Sequence, residues 1–354
     1  MPESGNCFRL DGGVSGRDPA RPNELHPHQQ DFPLSMNESM QDYAQTPLLV
    51  LLGPTASGKT ALSLRLAEHF GGEIVSCDSV AVYREMEIGT AKPTFAERRK
   101  IPHHMIDVAS LSDAFTAGEY ARQARVAIAE ITAKGRLPII TGGTGLYLRA
   151  LIDGLFPAPP RCEELRERLR RSGASKSPGW LHRVLSRLDP AAAGNVHPHD
   201  TPKLVRAIEV CLANRIPMTE SWRTGRQTLQ GHRVLRIGID PDRKALYDRI
   251  NLRAAAMFHQ GLVEETRRLS IKYGEAARPL TSLGYRQAMS VLSDQMSLPE
   301  AVAYAQQGHR NYAKRQMTWF RREREVHWIS GFGSQEEFLH QAMQAIDDHL
   351  GALR

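Results

Sequence analysis

Apolar and polar positions change their spacing along this chain in a regular order. Residues 48–52 form a short unbroken apolar run, as a strand buried on both faces requires, and residues 61–70 then carry apolar positions at helical spacing. The same alternation recurs. A strand pattern over 73–76 ends at Cys77-Asp78-Ser79, a helical one covers 118–133, and a strand over 138–141 runs into Gly142-Gly143-Thr144. Strands alternating with helices predict an α/β fold with a doubly wound parallel sheet, whose ligands sit at the carboxyl ends of the strands. Asp78 and Thr144 both fall at such ends.

After Pro157-Ala158-Pro159-Pro160 the pattern turns helical. Amphipathic segments at 163–171, 180–188 and 202–213, punctuated by Gly and Pro, predict a helical insertion over about residues 161–230. A strand pattern returns at 233–239. Helices follow at 243–260, 262–273, 284–292 and 298–320, then a short strand at 326–329 and a last helix within 331–354. The expected core therefore spans 46–160 and 231–330, interrupted by the insertion. Residues 1–45 are polar, rich in Pro, Gly, Asn, Gln and His, and lack a hydrophobic period, which predicts a disordered extension. Met36 and Met40 precede the first strand and are candidate translation starts.

Composition narrows the class only a little. A chain of 354 residues with 41% hydrophobic content fits one large α/β domain or a core with an insertion. No apolar run is long enough to span a bilayer and the N-terminus lacks an apolar signal core, so the cytoplasm is the expected location. Cys7, Cys77, Cys162 and Cys211 lie far apart without a C-x-x-C pair, which argues against a zinc site or a disulfide framework. The net charge of +7 is weak testimony for a nucleic-acid partner; its distribution says more. Arg310, Lys314, Arg315, Arg321, Arg322 and Arg324 cluster late in the chain. Arg161, Arg166, Arg168, Arg170 and Arg171 alternate with Glu163, Glu164 and Glu167, as on a solvated helix face.

The segment Gly53-Pro54-Thr55-Ala56-Ser57-Gly58-Lys59-Thr60 fits the phosphate-loop pattern G-x-x-x-x-G-K-[ST] at every position. Lying between a strand and a helix, it aims backbone N–H groups and a helix N-terminus at an anion, so a di- or triphosphate is the expected ligand. Phosphoryl-transfer enzymes of this class usually add an acid at the end of another strand to help hold magnesium. Strand 138–141 ends without one. The acid beside the loop is Asp78, either a magnesium partner through water or a general base facing a nucleophile that approaches the phosphates.

Further motifs follow in order: Asp78-Ser79, Tyr83-Arg84, Ile88-Gly89-Thr90-Ala91-Lys92-Pro93, Pro102-His103-His104-Met105-Ile106-Asp107 and Gly142-Gly143-Thr144-Gly145-Leu146-Tyr147. Leu204-Val205-Arg206-Ala207-Ile208-Glu209, Gly284-Tyr285-Arg286-Gln287 and Ala313-Lys314-Arg315-Gln316-Met317-Thr318-Trp319 extend the series. With the phosphate loop, it resembles the tRNA dimethylallyltransferase (isopentenyl-tRNA transferase) family over about residues 48–330. The resemblance implies a P-loop kinase-like core with a helical tRNA-clasping insertion. It also implies transfer of a dimethylallyl group from dimethylallyl diphosphate to N6 of adenosine 37, just 3′ of the tRNA anticodon.

In that reading Lys59, the loop N–H groups and a magnesium ion held by Thr60 stabilise the departing diphosphate. Asp78 takes the proton of the attacking amine, and Thr144 orients it. The resemblance places tRNA contacts at Asp78, Ser79, Val80 and Ala81, at Thr144 and Arg166, and at Pro202, Lys203, Leu204, Val205 and Arg206. It adds Thr281, Ser282, Leu283, Gly284, Tyr285 and Arg286. Three positions depart from the family's usual pattern: Lys203 for arginine, Ala81 for glutamine and Glu85 for glycine. The enzyme is expected to act as a monomer, and the pattern leaves open whether ATP also occupies the loop.

Other residues have plainer readings. His103 and His104, neighbours on an extended segment, point opposite ways and so fit hydrogen bonding better than a shared metal. Phe115, Tyr120 and Tyr147 fit core packing better than a prenyl pocket, and Trp319, Phe320 and Trp328 are expected core anchors. Two rivals predict different products: a P-loop small-molecule kinase would turn over ATP, and an RNA-binding nucleotide switch would bind tRNA without modifying it.

Overall fold

Among the described residues, six strands form one sheet: β1 (Thr46–Leu52), β2 (Glu73–Cys77), β3 (His103–His104), β4 (Pro138–Gly142), β5 (His232–Asp240) and β6 (Val326–Ser330). Their order across the sheet is β3-β2-β4-β1-β5-β6, and every neighbouring pair is parallel. The computed structural model describes residues 45–156, 158–222 and 225–351. The expected extension, apart from Gln45, and the candidate starts Met36 and Met40 lie outside the described residues.

β1 shows why its sequence is an unbroken apolar run. Leu48, Val50 and Leu52 enter the core on one face, while Leu49 and Leu51 enter a second core on the other. Side chains alternate across a strand, so a strand covered on both faces needs apolar residues throughout. The helices that supply the cover are α1 (Lys59–Phe70), α2 (Phe95–Lys100), α3 (Ala117–Ala133) and α4 (Gly145–Ile152) before the insertion. The insertion contributes α5 (Glu163–Ser175), α6 (Trp180–Leu188), α7 (Pro190–Asn195), α8 (Thr201–Asn214) and α9 (Met218–Ser221). Beyond it lie α10 (Arg243–His259), α11 (Leu262–Tyr273), α12 (Tyr285–Leu292), α13 (Leu298–Phe320) and α14 (Glu336–Gly351).

Leu62 and Leu66 of α1 and Phe338, Leu339 and Ile346 of α14 close one face; Tyr120 and Ile128 of α3, Leu148 and Leu151 of α4 and Phe320 of α13 close the other. The insertion has its own apolar cluster, in which Leu169, Leu181 and Leu185 meet Leu204, Val205, Ile208 and Met218.

Some short elements escape the hydrophobic pattern. α2 buries none of its six residues, so it has no apolar period to read. Its one sequence signal is the reciprocal cap: Glu97 N donates to Thr94 Oγ1, and Thr94 N donates to Glu97 Oε2 at 2.6 Å. β3 is two residues long, and α7 and α9 are similarly brief. Among the described residues, no helix is long and apolar enough to cross a membrane.

Candidate active site

The loop between β1 and α1 takes its shape from two left-handed residues, Ala56 (φ 64°) and Gly58 (φ 93°). Gly58 has a second reason to lack a side chain: a Cβ there would meet Ser334 N at 2.8 Å. Lys59 turns back onto its own loop, donating to Gly53 O at 2.8 Å and Pro54 O at 2.7 Å. Burial, followed by the nearby Arg253 cation, pulls its pKa down to about 7, with the Asp78 carboxylate opposing them. A lysine so placed gains most from an anion delivered to the loop.

That loop forms one wall of a cavity of about 520 Å³. Thr55 to Thr60, Asp78, Ala81, Thr141 and Gly143 line it from the sheet edge, and Thr90 to Pro93 lie along another side. Gly53 and Pro54 sit behind, buried, as the carbonyl partners of Lys59. The strand order decides this arrangement: β2 and β1 both flank β4, so their carboxyl ends open on one crevice.

Asp78 Oδ1 accepts from Val80 N at 2.8 Å and Ala81 N at 3.2 Å, which fixes the carboxylate at the strand end. Thr144, at the N-terminus of α4, accepts from Ser79 N at 3.0 Å and donates to Ser79 Oγ at 3.3 Å. The pairing of Cys77 with Gly142 brings the two strand ends together. An alanine at 142 would place its Cβ 2.1 Å from Cys77 O, so only glycine fits that approach.

Two later helices complete the cavity with side chains to which the sequence pattern assigns no role in the site. Arg253 of α10 donates to Thr55 Oγ1 at 3.2 Å, and Arg249, one turn earlier, also lines the wall. Burial lowers the Arg253 pKa, while Asp78 works the other way. From α13, Gln316 reaches the loop and Tyr312 donates to Gly143 O at 3.3 Å. Burial raises the Tyr312 pKa, so the phenol stays protonated as a donor. The signal that could have found them is a pair of polar side chains at i, i+4, Arg249 with Arg253 and Tyr312 with Gln316, set among apolar neighbours such as Leu246, Ile250 and Phe320.

The IPP transferase family model matches residues 81–323, more than half of the chain. The chain belongs to the IPP transferase family. It is 64% identical over 299 residues to a tRNA dimethylallyltransferase of Koribacter versatilis, covering 84% of this chain and 97% of that protein. It is 50% identical over 306 residues to a tRNA dimethylallyltransferase of Solibacter usitatus, covering 86% and 99%. Among solved structures it is similar to the full-length tRNA isopentenylpyrophosphate transferase of Bacillus halodurans, with 34% identity, a TM-score of 0.64 and coverage of 87% of this chain and 97% of that one.

Within this IPP transferase, the residues assigned to tRNA by resemblance divide by exposure. Thr281, Arg286, Pro202 and Lys203 are exposed; Ser79, Val80, Thr144, Arg166, Arg206, Ser282 and Leu283 are half-buried. Ala81, Leu204, Val205, Gly284 and Tyr285 are buried, and of these Ala81 lines the cavity. Leu204 and Val205 belong to the insertion core. The Tyr285 hydroxyl donates to Glu265 Oε1 at 2.6 Å and accepts from Gly89 N at 3.2 Å, so it ties α12 to the loop before Thr90.

Of the departures from the family pattern, Glu85 has a structural account. It holds φ 65°, a conformation that favours glycine, and its carboxylate is bound by Lys272 at 2.8 Å and Tyr273 at 2.6 Å. His103 and His104 hydrogen-bond separately, His103 Nδ1 to Ile101 O and His104 Nε2 to Glu73 Oε2, each at 2.7 Å. Tyr120 and Tyr147 stack at 4.4 Å in the core, Phe115 lies against it, and Phe320 is a core anchor. Trp319 and Trp328 are half-buried, each beneath an arginine, Arg149 at 4.6 Å and Arg321 at 4.9 Å.

Proposed function

We infer that this protein transfers a dimethylallyl group from dimethylallyl diphosphate to the exocyclic N6 of a tRNA adenosine, at position 37 beside the anticodon, and releases diphosphate. The observation that carries the reading is the shared cavity: the phosphate loop and the Asp78 carboxylate face the same space. A leaving-group cradle and a base in one cavity suit displacement at carbon, with an amine as nucleophile. Family membership supplies the substrate class.

In this mechanism the loop N–H groups, Lys59 and Arg253 take up the negative charge that grows on the diphosphate as its allylic C–O bond breaks. The new bond forms between the allylic carbon and N6, and Asp78 accepts the proton that the amine sheds. The turn that fixes Asp78 Oδ1 keeps the carboxylate at the strand end throughout. Thr144, hydrogen-bonded to Ser79, holds the neighbouring rim and is the candidate acceptor for the second amine hydrogen. An adenine must leave the loop stack to reach this depth.

The donor set fits magnesium. Thr60, exposed on the cavity wall, offers a hydroxyl, a hard oxygen, and magnesium commonly takes few protein ligands beside substrate phosphates. Such an ion, when bound, offsets diphosphate charge.

The deciding experiment incubates unmodified tRNA, dimethylallyl diphosphate and magnesium with the protein and analyses digested nucleosides by mass. The expected product is adenosine heavier by one dimethylallyl group, absent when position 37 is guanosine. Hydrolysis of ATP or a phosphorylated small molecule without that product would sink the reading.

A further inference from the structure

The turn between β6 and α14, residues 331–335, lies against the phosphate loop although it stands beyond the family-matched span. Topology brings the two together. β5 pairs with β1 on one side and β6 on the other, and α1 and α14 cover the same face of the sheet. The β1–α1 and β6–α14 connections therefore open at one edge. Gly331 N donates to Asp240 O at 3.1 Å and begins the turn at φ 113°, a conformation that favours glycine. Gly333 N then donates to Ser57 O, inside the phosphate loop, at 2.9 Å.

The approach is close on both sides. A Cβ at Gly333 would stand 3.0 Å from Gly58 O, just as the Cβ that Gly58 lacks would meet Ser334 N. Ser334 is exposed and lines the same cavity as Lys59, Thr60 and Asp78. Its Oγ accepts from Arg249 Nη1 at 3.3 Å, and the Arg249 guanidinium rests 3.6 Å from the centre of the Phe332 ring. A serine hydroxyl carries one proton beside two lone pairs. Arg249 occupies a lone pair, and the hydroxyl has no acceptor among the described residues, so its proton is available to a ligand in the cavity. The Arg249 cation beside it favours a negative ligand. Glu336, two residues on, is bound by Arg65 at 2.6 and 2.9 Å, which offsets its charge.

We propose that Ser334 is a further diphosphate-binding residue: its hydroxyl, positioned by Arg249, donates to a phosphate oxygen of the diphosphate seated in the loop. The proposal rests on the dimethylallyl transfer inferred above, which makes that ligand an allylic diphosphate. The phosphate site is then built from two connections, the β1–α1 loop and the β6–α14 turn, joined by the bond from Gly333 to Ser57.

The test titrates the full chain with inorganic diphosphate by calorimetry, beside steady-state prenylation of unmodified tRNA. Ser334→Ala is expected to weaken diphosphate binding about tenfold, as loss of one hydrogen bond to a charged group does. The KM for dimethylallyl diphosphate should rise with it, while the KM for tRNA and the thermal midpoint stay at wild-type values. Ser334→Thr keeps the donor and should recover the affinity that Ser334→Ala loses. Ser334→Asp sets a negative charge against the ligand and should bind more weakly than Ser334→Ala.

Wild-type diphosphate affinity in a folded Ser334→Ala or Ser334→Asp overturns the proposal. So do equal losses in the alanine and threonine variants, because the effect would not follow the hydroxyl. A raised KM for tRNA with unchanged diphosphate binding overturns it too, and assigns Ser334 to the RNA. A wild-type protein that makes no prenylated adenosine refutes the proposed activity alone, and the diphosphate titrations still decide the role of Ser334.

Discussion

Gln316 accepts the backbone N–H of Thr55 at 2.8 Å across 261 residues of chain. Its amide also donates to Gly143 O at 2.9 Å, so one buried side chain joins the phosphate loop to the end of β4. The loop is thereby held at the distance from β4 that α13 sets. Preorganised donors of this kind need no rearrangement as charge develops.

Gln316→Ala should therefore damage both the site and the fold. Leaving buried groups without partners costs about 1–3 kcal/mol. A lower thermal midpoint together with a higher KM for dimethylallyl diphosphate is expected, the first read by calorimetry and the second by initial rates. A variant that keeps wild-type KM would show that Gln316 does not set the loop.

Asp78→Ala should lower kcat by about 10²–10⁴-fold, the usual range for a lost general base. Its tRNA affinity should largely survive, because the positions assigned to tRNA extend well beyond Asp78, to the exposed Lys203, Thr281 and Arg286. Single-turnover rates and a binding titration separate the two effects, and retained turnover removes Asp78 from the mechanism.

Lys59 makes substrate affinity depend on pH. Its pKa lies at about 7, lowered by burial and then by Arg253, so the ammonium is lost as pH rises through that value. A bound diphosphate favours the charged form, so binding above pH 7 should draw in a proton. Affinity for dimethylallyl diphosphate should weaken as pH climbs from about 7, and Lys59→Met should bind weakly without that dependence. Titration calorimetry in two buffers of different ionisation enthalpy measures the proton uptake.

His309 ties stability to pH. Burial, then the Arg253 cation, lowers its pKa to about 4 in the folded protein, against about 6.5 unfolded. Between these values the unfolded chain binds the extra proton, so stability is lost as pH falls from 6.5 toward 4. The loss from this one group reaches up to about 3 kcal/mol. His309→Gln should show a shallower decline over that window in urea unfolding, and an identical decline would dismiss the residue as a contributor.

Much of the framework was written in local pattern. β1 reads as doubly buried because its five apolar residues leave no polar face, and α11 and α13 fall where helical spacing places them. The phosphate loop is legible because its glycines, lysine and threonine act within eight consecutive positions, and Asp78 because strand ends face ligands. α2 was not legible: it has no buried side chain, and only its capping pair announces it.

What sequence alone determined is whatever depends on neighbours along the chain: the alternation of elements, the anion-cradling turn and the family motifs in their order. Only tertiary structure decided which distant side chains close the site, because α10 and α13 lie about 200 to 260 residues beyond the loop they reach. It brought Arg253 onto Thr55 and Gln316 between Thr55 and Gly143. It also turned Leu204 and Val205 into the insertion's apolar cluster and Tyr285 into the main core, where its hydroxyl meets Glu265. Contacts across hundreds of residues leave no periodic trace, since each depends on where two separately folded elements come to rest.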